Sequence, residues 1–155
     1  MTSLCCKVLE ALSGKTLVTA ESLTGGGIGA QLTAVPGASQ VYKGGVICYT
    51  NWVKENVLRV SGETLERFGA VSSQTAGEMA EGVRKLLKGD VAIAVTGLAG
   101  PAGDEFGNPV GTVFIGYADE RETVVKPCLF SGTREEIRTA TIQTALELVL
   151  EQSKT

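Results

Sequence analysis

Thr16-Leu17-Val18-Thr19-Ala20-Glu21-Ser22-Leu23-Thr24-Gly25-Gly26-Gly27 changes character halfway along. Thr16 to Ala20 is an unbroken apolar and β-branched run, which reads as a buried strand. Leu23 to Val35 then takes helical spacing despite its glycines, and Pro36-Gly37 closes it. A buried strand handing over directly to a helix is the opening of an α/β fold.

The same alternation continues on both sides. Upstream, Leu4, Val8, Leu9 and Leu12 recur at helical spacing and Gly14 ends that helix. Downstream, Val41 to Tyr49 is strand-like, with Gly44-Gly45 marking a bulge or a close backbone approach. Asn51 is placed to cap a short helix running to about Val60, followed by a turn or two over Ser61 to Phe68. A longer helix starts at Ser72 or Ser73, runs to Leu87 and is ended by Gly89. Val91 to Thr96 is a second clear buried strand and opens into a glycine-rich loop, Gly97 to Gly111. Thr112 to Ala118 and Thr123 to Leu129 form a hairpin around Asp119-Glu120. Thr133 to Gln152 is the last helix, opened by a capping box over Thr133 to Glu136. This pattern predicts one domain over 1–155, a three-layer α/β/α sandwich on a mixed, mostly parallel sheet.

Composition narrows the function. The net charge is −3, and basic residues are dispersed, which argues against nucleic acid or an anionic membrane as partner. No apolar run approaches the ~20 residues of a membrane span, and the N-terminus carries no signal pattern, so a cytoplasmic protein is expected. The four cysteines (Cys5, Cys6, Cys48, Cys128) form no C-x-x-C pair and are expected to be reduced, buried and not metal-binding. The histidine count is 0, so any acid–base chemistry rests on carboxylate, Lys, Tyr or Cys.

Four segments could carry chemistry. At the strand–helix junction, Ser22 could attack an amide, with neighbouring N–H groups receiving the oxyanion and Gly25 and Gly26 letting substrate come close. A plain N-cap role for Ser22 or Thr24 explains the same residues locally. Gly25, Gly27 and Ala30 also match the loose dinucleotide fingerprint, but Val46 to Asn51 lacks the acidic residue that fingerprint requires. In Tyr49 to Lys54, a lysine in the first turn after an Asn51 cap opposes the helix dipole, which suits a lysine wanted neutral. Bringing its pKa from ~10.4 to near ~7 needs roughly 4–5 kcal/mol; a helix end supplies only ~0.3–1 kcal/mol, so burial or a neighbouring cation must supply the rest. An exposed lysine beside Trp52 is the simpler alternative. Thr96 and the loop through Gly97 and Gly100 sit where a sheet's carboxyl edge contacts phosphate or ribose. Arg134, in the first turn of the last helix, is either a phosphate ligand or an exposed ion-pairing residue.

Together these segments closely resemble the CinA C-terminal domain family, whose active members are nicotinamide-nucleotide amidohydrolases. The motifs are A-E-S-L-T-G-G (Ala20 to Gly26), Y-T-N-x-x-K (Tyr49 to Lys54), G-A-V-S (Gly69 to Ser72), T-G-L-A-G-P (Thr96 to Pro101), P-V-G-T-V (Pro109 to Val113) and F-S-G-x-R (Phe130 to Arg134). The resemblance implies a Ser–Lys amidohydrolase, without cofactor or metal, acting on the small-molecule nucleotide nicotinamide mononucleotide. It implies Ser22 as nucleophile, Lys54 as its base, Tyr49 assisting, and Thr96 supporting catalysis. Thr24, Gly25, Gly26, Gly97, Gly100 and Arg134 would meet the substrate, with Arg138 one helical turn beyond as the rival arginine. Asn108 stands where the family usually has lysine, and Leu23 where it often has cysteine. A stand-alone member, without the large N-terminal domain of two-domain members, is expected. Glycine-rich helix faces and the resemblance point to a homo-oligomer. A non-catalytic nucleotide-binding module of the same fold is the competing expectation; a short nicotinamide-cofactor oxidoreductase is set aside, because that class needs its lysine four residues after the tyrosine and Lys54 stands five after Tyr49.

Overall fold

The computed structural model describes residues 1–154. In chain order it forms α1 (Thr2–Ala11), β1 (Leu17–Glu21), α2 (Gly27–Thr33), a 3-10 turn (Ala38–Gln40), β2 (Tyr42–Ile47) and α3 (Asn51–Asn56). There follow α4 (Gly62–Phe68), α5 (Ser73–Leu87), β3 (Val91–Gly97), β4 (Thr112–Ala118), β5 (Thr123–Leu129) and α6 (Arg134–Gln152).

The sheet order is β2-β1-β3-β4-β5. β1 pairs in parallel with β2 and with β3, whereas β4 runs antiparallel to both β3 and β5. The sheet is therefore mixed, and β4 alone runs against the other strands. Alternation along the strands divides the core. Leu17, Ile93, Val95 and Ile115 pack with residues of α1, α2 and α6 on one face. Val18, Ala20, Ala92 and Ala94 meet Met79, Ala80 and Val83 of α5 and Leu65 of α4 on the other. These are the three layers that the alternation of apolar strands and helices predicts.

This topology creates a place for a site. From β1 the chain crosses to β2 through α2 on one face. It then returns past β1 to β3 through α5 on the opposite face. The two crossovers diverge, leaving a crevice at the carboxyl ends of β1 and β3, where open α/β sheets bind ligands.

Several boundaries differ from the sequence expectation. α2 starts at Gly27, four residues later than Leu23, because Gly25 (φ 59°) and Gly26 (φ 101°) adopt left-handed conformations that interrupt a right-handed helix. The cap of α3 is Thr50, not Asn51, and α3 ends at Asn56, well short of Val60. Gly44-Gly45 behaves as expected: the β1–β2 register slips between Leu17 and Val18. A side chain at Gly45 would collide with the Thr19 hydroxyl. All four cysteines are unpaired, Cys5 and Cys48 buried, but Cys6 and Cys128 are only half-buried. Among the described residues, no helix is long and apolar enough to cross a membrane.

Candidate active site

The end of β1 positions Ser22. Its N–H donates to Val95 O at 3.2 Å, extending the β1–β3 pairing by one residue, and its carbonyl accepts Gly25 N–H at 3.1 Å. The chain thus turns sharply at the carboxyl edge of the sheet, with the Ser22 side chain on the crevice wall. Among the described residues the Leu23 N–H has no hydrogen-bond partner, so the donor next in sequence to the hydroxyl is free.

Lys54 reaches the same point from α3. It is the largest of the fully buried side chains, at 2% exposure. Its Nζ donates to Ser22 Oγ at 3.1 Å and to the Cys48 carbonyl at 2.8 Å. Among the described residues no carboxylate forms an ion pair with it. Burial lowers the Lys54 pKa from 10.5, and proximity to Cys48 acts weakly the other way. A buried ammonium with no counter-ion is costly, and loss of the proton relieves that cost. The cause is therefore desolvation. The helix dipole contributes nothing of the expected kind, because Lys54 lies in the last turn of this short helix.

Ser22, Lys54, Tyr49, Thr96, Gly97, Gly100 and Arg134 all line one cavity of about 350 Å³, joined by Asn51, Ala70 and Val71. No Asp or Glu is among the residues that line it. Thr96 donates its hydroxyl to Ala70 O at 2.7 Å, so it orients the Ala70–Val71 wall while its oxygen can still accept. Arg134 donates to the Gly100 carbonyl and, at 3.4 Å, to the Tyr49 hydroxyl. It thereby clamps the loop after β3 at the cavity mouth. Arg138 is committed elsewhere: Nε donates to Leu23 O at 2.9 Å and Nη2 to Thr24 O at 3.2 Å. Of the two arginines, Arg134 faces the cavity and Arg138 braces the turn behind it.

Four of the expected residues stand apart from the Ser22–Lys54 contact. Tyr49 is 60% exposed and among the described residues its hydroxyl pairs with Arg134, not with Ser22 or Lys54. Thr24 is buried and gives its hydroxyl to Glu21 Oε1 at 2.6 Å. Gly25 and Gly26 form the left-handed turn behind the wall and, with Thr24, do not line the cavity. Asn108 instead ties down its own loop, its Nδ2 donating to Val71 O at 3.1 Å and to Asp104 Oδ2 at 2.9 Å. The Glu21 carboxylate, buried beside Ser22, had no signal in the sequence beyond its place in the motif. Only the fold shows that it accepts three hydrogen bonds.

The chain's relatives share this framework. Residues 2–153 match the CinA C-terminal domain family. A CinA-like protein of Endomicrobium trichonymphae is 50% identical over 87% of this chain, which covers 32% of that relative. The CinA-like protein of Sulfurihydrogenibium sp. is 44% identical over 87% of the chain, again covering 34% of the relative. The chain thus spans about a third of the length of the curated relatives it matches. A solved competence-damaged protein (CinA) superfamily structure from Klebsiella pneumoniae superposes with a TM-score of 0.96 at 35% identity, covering 99% of this chain and 97% of that one. The competence/damage inducible protein CihA from Agrobacterium tumefaciens gives 0.94 at 38% identity, covering 99% and 95%.

Proposed function

Because the chain belongs to the CinA C-terminal domain family, we propose that it deamidates nicotinamide mononucleotide to the nicotinate form and ammonia through a Ser22–Lys54 pair. The observation that carries this reading is a buried lysine, paired with no carboxylate among the described residues, 3.1 Å from a serine hydroxyl.

The steps follow from the geometry. Lys54, as the free amine, takes the Ser22 hydroxyl proton while Oγ attacks the carboxamide carbon. The negative charge formed on the carbonyl oxygen is received by the free Leu23 N–H. Collapse breaks the C–N bond, and the Lys54 ammonium returns its proton to the departing nitrogen, which leaves as ammonia. Lys54 then deprotonates a water that attacks the Ser22 ester, freeing the carboxylate product and restoring the hydroxyl. A pyridinium ring seated beside Lys54 disfavours the ammonium further, so substrate itself favours the basic form. Arg134, at the cavity mouth, supplies the cation for the 5′-phosphate. A cavity of about 350 Å³ suits a small-molecule ligand of this kind.

The test is ammonia release from nicotinamide mononucleotide by the unmodified chain and by Ser22→Ala and Lys54→Ala. Release that both substitutions abolish is expected. No release, or full rates in both variants, refutes the chemistry. Tight calorimetric binding without product would favour a nucleotide-binding module instead.

A further inference from the structure

Resting on the amidohydrolase reading, we propose that Glu21 is the positioning residue that holds nucleophile and base in register. Glu21 is a carboxylate at 2% exposure with no ion-pair partner among the described residues, and the mechanism above does not use it. Burying such a group is costly unless hydrogen bonds replace its water. Here they do. Oε1 accepts from Thr24 Oγ1 at 2.6 Å and from Ile28 N at 2.7 Å, and Oε2 accepts from Gly29 N at 3.0 Å. All three donors lie beyond Ser22, so the carboxylate staples the end of β1 to the start of α2 across the turn that carries the nucleophile. The cap position of α2, Gly26, has no side chain to serve those N–H groups.

The main chain of the same residue holds the base. Cys48 N–H donates to Glu21 O at 2.9 Å, and the Cys48 carbonyl receives Lys54 Nζ at 2.8 Å. One residue therefore sets Ser22 through its side chain and Lys54 through its backbone. An apolar residue could fill the volume but could not tie the turn down.

Glu21→Gln keeps the shape and replaces one acceptor oxygen by an NH2 group, which in either orientation faces an N–H or O–H donor. The turn must then shift. A misplacement of ~1 Å costs about 10²-fold in rate, whereas the nucleotide contacts of Arg134 and the loop after β3 stand on other elements. The expected result is a kcat lowered by about 10²-fold with KM for nicotinamide mononucleotide unchanged. A crystal structure of the variant should show Ser22 Oγ and Lys54 Nζ out of hydrogen-bond reach. An unchanged kcat, or a loss confined to KM, overturns the proposal. If Glu21→Gln does not fold, Thr24→Val is judged by the same two criteria, with Thr24→Ser, which keeps the hydroxyl, restoring kcat. If the unmodified chain releases no ammonia, the amidohydrolase reading fails by itself. The variant's crystal structure then decides the positioning claim: an intact Ser22–Lys54 contact refutes it, a broken one supports it.

Discussion

Replacing Cys48 with alanine measures how dry the compartment beneath Ser22 is. The Cys48 thiol is fully buried, and burial pushes its pKa from 9.0 to about 11, with nearby Lys54 pulling weakly the other way. The dryness that raises this thiol is the same that lowers Lys54, since the two groups adjoin and become charged with opposite signs on losing or gaining a proton. Because the folded pKa lies above the unfolded one, the native state holds the proton more tightly. The thiol's contribution is complete below about pH 9 and is lost as pH rises through about 11. At ~1.36 kcal/mol per unit the full loss is about 3 kcal/mol, of which about 1 kcal/mol is gone by pH 10. Urea unfolding of both proteins at pH 8, 9 and 10 gives the difference, and the packing cost of the smaller side chain cancels because it does not vary with pH. The native chain should lose about 1 kcal/mol more than Cys48→Ala over that range. Parallel curves would mean that water reaches the thiol, and the explanation for the low Lys54 pKa would go with them.

Other substitutions probe the frame around the pair. A side chain at Gly82 would sit 2.0 Å from the Leu58 carbonyl oxygen, a backbone atom that cannot swing away. Gly82→Ala should therefore cost at least about 1–3 kcal/mol in urea unfolding. Arg134→Ala should raise KM for nicotinamide mononucleotide about 10–100-fold, the worth of a charge-assisted hydrogen bond, with kcat less affected. Arg138→Ala frees the Leu23 and Thr24 carbonyls and should act mainly on kcat, so steady-state kinetics on the two variants separate their roles.

Much of the fold was legible because β1, β3 and most of β4 are buried on both faces. Val91 to Thr96 read plainly as a buried apolar run, Asp119-Glu120 marked the β4–β5 hairpin, and the Thr133 capping box placed the start of α6. Glycine was harder to interpret. Gly25 to Gly27 fitted a helix by spacing, yet two of them carry positive φ and delay α2, which periodicity cannot register. Asn51 satisfies every preference for a cap but stands one position inside the helix. For Lys54 the sequence showed that a helix end is too weak and that burial or a neighbouring cation must do most of the work. The structure supplies burial, a tertiary effect that no local window could locate. Thr24, Gly25 and Gly26 were expected as substrate contacts because they belong to the A-E-S-L-T-G-G motif. The sharp turn there leaves Ser22 and Leu23 on the cavity wall and takes Thr24, Gly25 and Gly26 out of its lining. Arg134 and Arg138, one helical turn apart, separate only when the loop carbonyls bound by Arg138 are seen.

The most direct test of the Ser22–Lys54 engine is a nitrogen-detected NMR titration of Lys54 Nζ, assigned by its disappearance in Lys54→Met. The ammonium should lose its proton at a pH below 10.5, and kcat/KM should rise with pH through that same midpoint, because the rate needs the free amine. A Lys54 midpoint at or above 10.5 would leave the serine without a base.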